Sequence, residues 1–256
     1  MSQPTIVFSL GAWSTPAVFD AVRSRLNTFG FDSECPARPS VDGEPPLKTF
    51  EDDVASLRNV LTRLSEEGND IVVVAHSYGG MVASSAVEGL AKEFGGRVIK
   101  VIYLAAFALD KGQSLLGLLG GNLLPWMKLE VSQSLPTPCL RLWYIYAVMS
   151  QGDYVHTDNS TIWHDLSPAE QELWAARARG TSRLVFSGEN TYEPWRDISC
   201  AYIICEEDLA LLLPLQEMLA EKVGGPERTF RLPGGHSPFL SIPDRMADLL
   251  VDIIKA

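Results

Sequence analysis

The chain has 256 residues, of which 46% are hydrophobic and 21% charged, and its formal net charge is −11. This length fits one large α/β domain with a sizeable core, or two small domains. The acidic balance argues against nucleic acid and anionic membranes as partners, because like charges repel. No segment has the pattern of a signal peptide or a transmembrane helix, and the four cysteines lack a C-x-x-C spacing. We therefore expect a reduced, cytoplasmic protein.

Strands and helices alternate along the first 107 residues. In chain order we predict a strand at 5–10, a helix at 16–29, a loop at 35–46, a helix at 49–68, a strand at 70–76, a helix at about 79–93 and a strand at 98–107. Thr49 can cap the helix at 49–68, and Gly68 ends it. The strand at 70–76, DIVVVAH, lacks polar alternation, which is typical of a parallel strand covered on both faces.

The same alternation returns near the end of the sequence, with strands at 201–205 and 228–232 and helices at 213–223 and 241–254. Regular alternation predicts an α/β fold, in which a parallel sheet has helices on both faces. Residues 108–197 interrupt the alternation and are too many for a simple connection. We predict that they form a mostly helical cap insertion within a single domain, whose core is 1–107 and 198–256.

The insertion is rich in tryptophan. Its best predicted helix is at 167–180, where Ser167 is a cap and Glu170 completes a capping box. Five of the six tryptophans lie in it: Trp126, Trp143, Trp163, Trp174 and Trp195. For any single one, a place in the insertion's own core is the simplest interpretation. As a group they predict a water-poor pocket for an apolar ligand, and we expect it to be lined by Leu10, Trp13, Trp126 and Trp163.

The segment VVVAHSYGGM (72–81) places Ser77 directly after a buried strand and before a helix. AHSYGG matches the nucleophile elbow Gly-x-Ser-x-Gly, with Ala75 in place of the first glycine. In such an elbow the serine lies in a strained turn at the carboxyl edge of the sheet, and the residues two positions away must be small. A purely structural strand-to-helix corner is the alternative. The position of the motif favours Ser77 as a nucleophile.

A serine hydroxyl needs a base, and His236 is the best placed of the four histidines. It lies in RLPGGHSPF, a loop after the last strand, where flexible glycines would let the imidazole reach the sheet edge. His76 adjoins Ser77 but points to the opposite face of the strand, which indicates a packed histidine. His156 and His164 lie close to aspartates. Because no third ligand completes a site there, we expect no metal and no cofactor.

The base needs a carboxylate partner. The segment YIICEEDLAL offers Glu206, Glu207 and Asp208 just past a strand, and Asp110 at the end of an earlier strand is the alternative. We favour Asp208, because its strand is the closest in order to the histidine loop. It also gives the chain order serine, acid, histidine that is typical of hydrolases with this elbow. The two neighbouring acids are then solvated loop charges.

An acyl-transfer site also needs donors for the oxyanion. With this type of elbow, one donor is the main-chain N–H after the nucleophile, here that of Tyr78. The other comes from the loop after the first strand, where Ala12 in LGAWS is the best placed residue. Because both donors are main-chain groups, the side chains at these positions can vary.

With these residues the chain resembles the α/β-hydrolases, and among them the small esterase and hydroxynitrile-lyase-like group that includes plant methylesterases. The similar segments are IVFSLGAW, VVVAHSYGGMV, VIYLAAFALDKGQS, WHDLSPAEQELWAARA, TYEPWRDISCAYIICEEDLALLLPLQEMLAE and LPGGHSPFLSIPDRMADLL. The resemblance implies the roles of nucleophile for Ser77, acid for Asp208, base for His236 and oxyanion donor for Ala12 and Tyr78. The group usually has His-Gly after its first strand, where this chain has Leu10-Gly11. Any substrate contact of that imidazole is therefore absent, and the site is more apolar.

We therefore expect a serine hydrolase that cleaves a carboxylic ester or a lactone of a small apolar molecule through an acyl-enzyme. Two alternatives use the same site differently. In the first, the triad serves a non-hydrolytic reaction, such as C–C cleavage, cyanohydrin lysis, acyl transfer or cyclisation. In the second, the fold is a non-enzymatic ligand receptor, as in some plant hormone receptors.

Overall fold

The computed structural model describes residues 3–130 and 153–256. A parallel six-stranded sheet forms its centre, with the strands in the order β2-β1-β3-β4-β8-β9. These strands are β1 (Thr5–Ser9), β2 (Ser33–Glu34), β3 (Ile71–His76), β4 (Val98–Leu104), β8 (Ser199–Cys205) and β9 (Thr229–Leu232). The predicted α/β class is confirmed. All six carboxyl ends meet at one edge, where parallel sheets bind their ligands.

Helices connect the strands and cover the sheet. They are α1 (Asp20–Thr28), α2 (Phe50–Glu66), α3 (Gly79–Ala86), α7 (Leu213–Val223), α8 (Pro238–Ser241) and α9 (Pro243–Lys255), with a short 3-10 helix, Pro16–Phe19, directly before α1. The capping box of α2 is present and pairs Thr49 with Asp52. Helix α7 has the predicted bounds.

Two elements of the core end at least three residues before their predicted bounds. The helix predicted at about 79–93 ends at Ala86, and a separate 3-10 turn follows at Lys92–Phe94. Gly89 has φ +72°, a left-handed conformation that cannot continue a helix. The strand predicted at 98–107 ends at Leu104, because Ala105 has φ 39° and turns the chain out of the sheet.

The core lies in two layers, one on each face of the sheet. Along β3, Val73 and Ala75 pack into the layer under α2 and α3, whereas Val72 and Val74 pack into the layer under α1 and α9. Successive side chains of a strand point to opposite faces, so a strand buried on both sides must be apolar throughout. This is the physical reason for the unbroken apolar run before Ser77.

The described part of the insertion contains helices and a small sheet. The helices are α4 (Leu115–Leu118), α5 (Asn159–Ile162) and α6 (Pro168–Arg177), with 3-10 turns at Arg183–Ser187 and Pro194–Arg196. The predicted capping box between Ser167 and Glu170 is present in α6. An antiparallel sheet that was not predicted from the sequence consists of β5 (Met127–Glu130), β6 (Tyr154–Thr157) and β7 (Thr181–Ser182). Strands of two to four residues are too short to show a period of two.

Trp143 lies outside the described residues, as does Cys139. The domain bounds at 107 and 198 stay a prediction. Within the two described ranges, every helix is too short or too polar to cross a bilayer.

Candidate active site

Ser77 occupies the corner between β3 and α3 in a strained conformation. Its φ is 54°, in the left-handed region that residues other than glycine rarely adopt. The carbonyl of Ser77 accepts hydrogen bonds from the N–H groups of Gly80 (3.0 Å) and Phe107 (3.1 Å). Its own N–H donates to the carbonyl of Leu104 at 3.3 Å. The turn after β4 and the first turn of α3 therefore hold the strained residue in place.

Glycines let neighbouring segments approach this corner. A Cβ at Gly79 would lie 2.3 Å from the Ser9 carbonyl oxygen, and one at Gly11 would lie 2.7 Å from Nδ1 of His76 and 3.3 Å from Cβ of Ser77. Such distances are too short for carbon atoms, so both positions require glycine. The loop after β1 consequently lies directly against the serine, where the predicted oxyanion donor belongs.

The structure brings together the three side chains predicted as a triad. The Ser77 hydroxyl donates to Nε2 of His236 at 3.0 Å, and Nδ1–H of His236 donates to Oδ2 of Asp208 at 2.7 Å. These are ordinary hydrogen-bond distances. All three residues are at least 95% buried. The site lies at the carboxyl ends of β3, β8 and β9, although His236 is 159 residues from the serine.

Asp208 is held as a hydrogen-bond acceptor. Its Oδ1 accepts from the N–H groups of Ala210 (2.7 Å) and Leu211 (2.8 Å), which leaves Oδ2 for His236. The competing acids lie elsewhere: Glu206 pairs with Arg231 at 3.6 Å, Glu207 is exposed, and Asp110 pairs with Lys222 at 2.8 Å. Of the four candidates, only Asp208 is next to the imidazole.

His76 supports the main chain of His236 rather than contacting the serine hydroxyl. Its Nε2–H donates to the His236 carbonyl at 2.9 Å. Burial lowers the pKa of His76 well below its ordinary value, and the adjacent His236 imidazole lowers it further. His76 is therefore neutral, and it is a packed side chain, as the sequence indicated.

The predicted oxyanion donors lie on either side of Ser77. Tyr78 follows it at the start of α3, and Ala12 belongs to the loop that Gly11 brings against it. Within 3–130 and 153–256, the N–H groups of Ala12 and Tyr78 donate to no main-chain acceptor. Both residues are buried, so the low dielectric of this site would strengthen any bond that these groups make to a ligand.

A buried ion pair supports the oxyanion loop, and the sequence analysis missed it. The Arg38 guanidinium donates to the carbonyl of Leu10 at 2.8 Å and to the hydroxyl of Ser9 at 2.9 Å. One of its nitrogens also lies 4.0 Å from Oδ2 of Asp53. The same carboxyl oxygen accepts from the Tyr78 hydroxyl at 3.0 Å. Arg38 and Asp53 thus connect both segments that carry the predicted donors.

The sequence contained a signal for Asp53. Its position on α2 falls among the buried residues Phe50, Leu57, Leu61 and Leu64, at helical spacing. Asp53 was not singled out from the sequence. A carboxylate on an apolar stripe requires buried partners. Asp53 accepts hydrogen bonds from the N–H (3.0 Å) and the hydroxyl (2.6 Å) of Ser40 and from the Tyr78 hydroxyl, and Arg38 lies 4.0 Å away.

The four residues predicted to line a pocket lie in three different packing clusters of the structure. Leu10 is 1% exposed and packs in the core layer under α1 and α9. Trp13 stacks edge-on against Trp126, with ring centroids 5.5 Å apart, and lies 6.1 Å from the ring of Phe186. Trp163 belongs to a small cluster that includes Ala210, next to the acid. Trp126 also packs on that cluster.

The two histidines of the insertion have other partners. His156 lies 2.7 Å from a carboxyl oxygen of Glu130, and Nδ1 of His164 lies 3.3 Å from the Thr161 carbonyl. Across the described ranges, no three histidine, cysteine or acidic side chains lie close enough together to hold a metal ion.

The chain matches the model of the alpha/beta hydrolase family over residues 6–249. Among curated relatives, it is 29% identical to the alpha/beta hydrolase nvfD of Aspergillus novofumigatus, over 98% of this chain and 96% of that one. It shares its fold with the methylesterase MES16 from Arabidopsis, with a TM-score of 0.74 and 18% identity over 98% of this chain and 99% of that one. Polyneuridine aldehyde esterase has a TM-score of 0.77, also at 18% identity, over 98% of this chain and 99% of that one. The chain is therefore an enzyme of the alpha/beta hydrolase family.

Proposed function

We propose that the protein hydrolyses a carboxylic ester or a lactone of a small apolar molecule, with Ser77, His236 and Asp208 as a catalytic triad. The observation that carries this proposal is the continuous pair of hydrogen bonds from the serine hydroxyl through the imidazole to the carboxylate. A serine so connected has a base for its proton, and the base has an anion that fixes its tautomer.

The reaction follows from this geometry. Ser77 Oγ attacks the carbonyl carbon while its proton passes to Nε2 of His236, and Asp208 stabilises the resulting imidazolium. The N–H groups of Ala12 and Tyr78 bind the oxyanion. The imidazolium then protonates the leaving alcohol, which departs and leaves the acyl group on Ser77. Water, deprotonated by His236, attacks the acyl-enzyme and releases the acid.

An apolar substrate is supported by the aromatic surroundings. Trp13 and Trp126 pack together, and Trp13 directly follows Ala12. His76 is neutral, so it adds no charge beside the triad. Such a site favours an uncharged acyl or alcohol group, because a buried charge without a partner is unfavourable.

Turnover in ¹⁸O-labelled water tests the reaction. With p-nitrophenyl esters of increasing acyl length, hydrolysis places solvent oxygen in the released acid. A product without solvent oxygen would contradict hydrolysis and favour acyl transfer or lyase chemistry.

A matched pair of serine variants tests the site. We expect Ser77→Ala to lower kcat at least about 10³-fold, because the nucleophile is lost. Ser24→Ala, an exposed position on α1, is the control and should retain wild-type kcat. Ser77→Ala with most of its activity would contradict the proposed mechanism.

A further inference from the structure

We propose that the insertion positions two parts of the catalytic site, with Thr181 holding the oxyanion loop through Trp13 and Asp165 holding the histidine loop through Gly235. The inference rests on the proposed function of the same site. In this account Thr181 and Asp165 are positioning residues, since neither contacts the reacting atoms.

Trp13 has a conformation that needs outside support. Its φ is 62°, in the left-handed region that is unfavourable for a bulky side chain. It directly follows Ala12, the predicted oxyanion donor. The Ala12 N–H belongs to the preceding peptide plane, and the two planes meet at the Ala12 Cα. Fixing the Ala12–Trp13 plane therefore restricts the backbone angles of Ala12 and so the direction of its N–H. Whatever holds Trp13 therefore holds one side of the oxyanion site.

The insertion supplies that support through three hydrogen bonds. The Trp13 main-chain N–H donates to Oγ1 of Thr181 at 2.8 Å, and its indole N–H donates to the Val155 carbonyl at 2.6 Å. The Trp13 carbonyl accepts from the N–H of Arg179 at 3.1 Å. Thr181 is fully buried in β7, next to β6, which contains Val155. The small sheet of the insertion is thus attached directly to the oxyanion loop.

A second contact joins the insertion to the histidine loop. Oδ2 of Asp165 accepts from the N–H of Gly235 at 2.8 Å. A Cβ at Gly235 would lie 2.6 Å from Cε1 of His164 and 2.7 Å from Oδ1 of Asp165. Glycine is required here because the insertion fills the space of a side chain. From the sequence, this glycine was expected to give the loop the flexibility that lets the imidazole reach the sheet edge. In the structure the loop instead packs against His164 and Asp165.

These contacts predict how the site responds when one of them is removed. A displacement of about 1 Å in a catalytic group can lower the rate about 10²-fold without weakening substrate binding. Loss of either contact should therefore lower kcat while KM changes little. A residue that only stabilises the fold would lower the unfolding midpoint and leave kcat of the folded protein unchanged.

The test for Thr181 compares Thr181→Val with Thr181→Ser, using hydrolysis of p-nitrophenyl acetate. Valine keeps the volume but lacks the acceptor for the Trp13 N–H, whereas serine keeps the acceptor. We expect Thr181→Val to lower kcat about 10–100-fold with KM within about twofold, and Thr181→Ser to stay within about threefold of wild type. Equal kcat in both variants and wild type would overturn this part of the proposal.

The test for Asp165 compares Asp165→Ala with Asp165→Asn, because asparagine keeps an acceptor for the Gly235 N–H. We expect the alanine variant to lose about 10-fold or more in kcat, and the asparagine variant to recover most of it. The rate at which a fluorophosphonate labels Ser77 should fall with kcat, since both depend on His236. An asparagine variant as slow as alanine, or a change in KM alone, would overturn the proposed hydrogen-bond role.

Measurements on the wild-type protein distinguish a failure of the positioning role from a failure of the proposed function. If it shows turnover that depends on Ser77 and the valine and alanine variants match it, the positioning role is wrong and the proposed function stands. If it labels at Ser77 but shows no hydrolysis, the proposed reaction is wrong. In that case the labelling rates of the four variants still test the positioning role.

Discussion

Two residues of the site, Ser77 and Trp13, share a strained left-handed backbone but are held by different parts of the molecule. Ser77 (φ 54°) is held by the sheet and its helices, through Leu104, Gly80 and Phe107. Trp13 (φ 62°) is held by the insertion, through Thr181 and its neighbours. The nucleophile is thus held within the central fold. The loop with the predicted oxyanion donor is held from both sides, by Arg38 of the central fold at Leu10 and by the insertion at Trp13.

The insertion is packed less evenly than the central sheet. Every residue of β3 is buried, and its side chains divide between two large core layers. In the insertion, Val155 and Thr181, which hold Trp13, are also fully buried, and Val155 packs in one of those layers. Helix α6, in contrast, has no buried residue. Regions with little buried apolar surface open at lower free energy than the core. Substitutions in β3 or beside Trp13 should therefore act globally, whereas those in α6 should act locally.

The largest effect on stability is expected from the buried ion pair. Asp53→Ala leaves the Arg38 guanidinium, the Tyr78 hydroxyl and the N–H and hydroxyl of Ser40 without their carboxylate, and should lower the free energy of unfolding by about 3–5 kcal/mol. Glu51→Ala, exposed on the same helix, is the control and should change it by less than about 0.5 kcal/mol. Urea unfolding measures the free energy of unfolding of both variants. A similar small change in the two variants would show that the pair does not stabilise the core.

A methyl group at the elbow should have the next largest effect. Gly79→Ala places a carbon 2.3 Å from the Ser9 carbonyl oxygen and 2.4 Å from that of Leu10. We expect a loss of about 1–3 kcal/mol together with a fall in kcat, because β1 and the oxyanion loop must move. Thermal unfolding and p-nitrophenyl acetate hydrolysis measure the two effects. A variant that matches wild type in both would contradict the close packing described here.

His76 should make the stability of the core depend on pH. The pKa of the folded ring is well below the ordinary value of 6.5, so below that pH the unfolded chain binds more protons than the fold. The stabilisation that depends on neutral His76 is complete above pH 6.5. Below that pH the free energy of unfolding falls by up to about 1.4 kcal/mol per pH unit, until the pH reaches the pKa of the folded ring.

Unfolding of wild type and His76→Gln in urea, from about pH 8 to about pH 5, measures this dependence. The glutamine variant is expected to have a shallower slope below pH 6.5, whatever its absolute stability. Parallel curves for the two proteins would show that another group causes the loss.

The smallest effect is expected in the insertion. Ser167→Ala removes the capping box of α6 and should weaken that helix by about 1 kcal/mol. Because α6 contributes no buried residue, hydrogen exchange should increase in 168–177 while the global unfolding midpoint stays unchanged. A global shift of about the same size would show that the insertion and the core unfold as one unit.

The sheet, the main helices and the proximity of Ser77, Asp208 and His236 could be predicted from the sequence, because each element and each of these residues is marked by a local pattern. A buried strand, a small-residue corner and a glycine-rich loop each lie within about ten residues. The contacts of Trp13 with Val155 and Thr181 were not predicted, since they join residues 142 and 168 positions apart. Short strands such as β7 show no period from which such a contact could be inferred.

The most direct test of the triad is covalent labelling with a fluorophosphonate, followed by peptide mass spectrometry. The account predicts a single adduct on Ser77, and labelling that is at least about 10²-fold slower in His236→Ala, because the base that activates the hydroxyl is lost. An adduct on a different residue, or an undiminished labelling rate in His236→Ala, would contradict it.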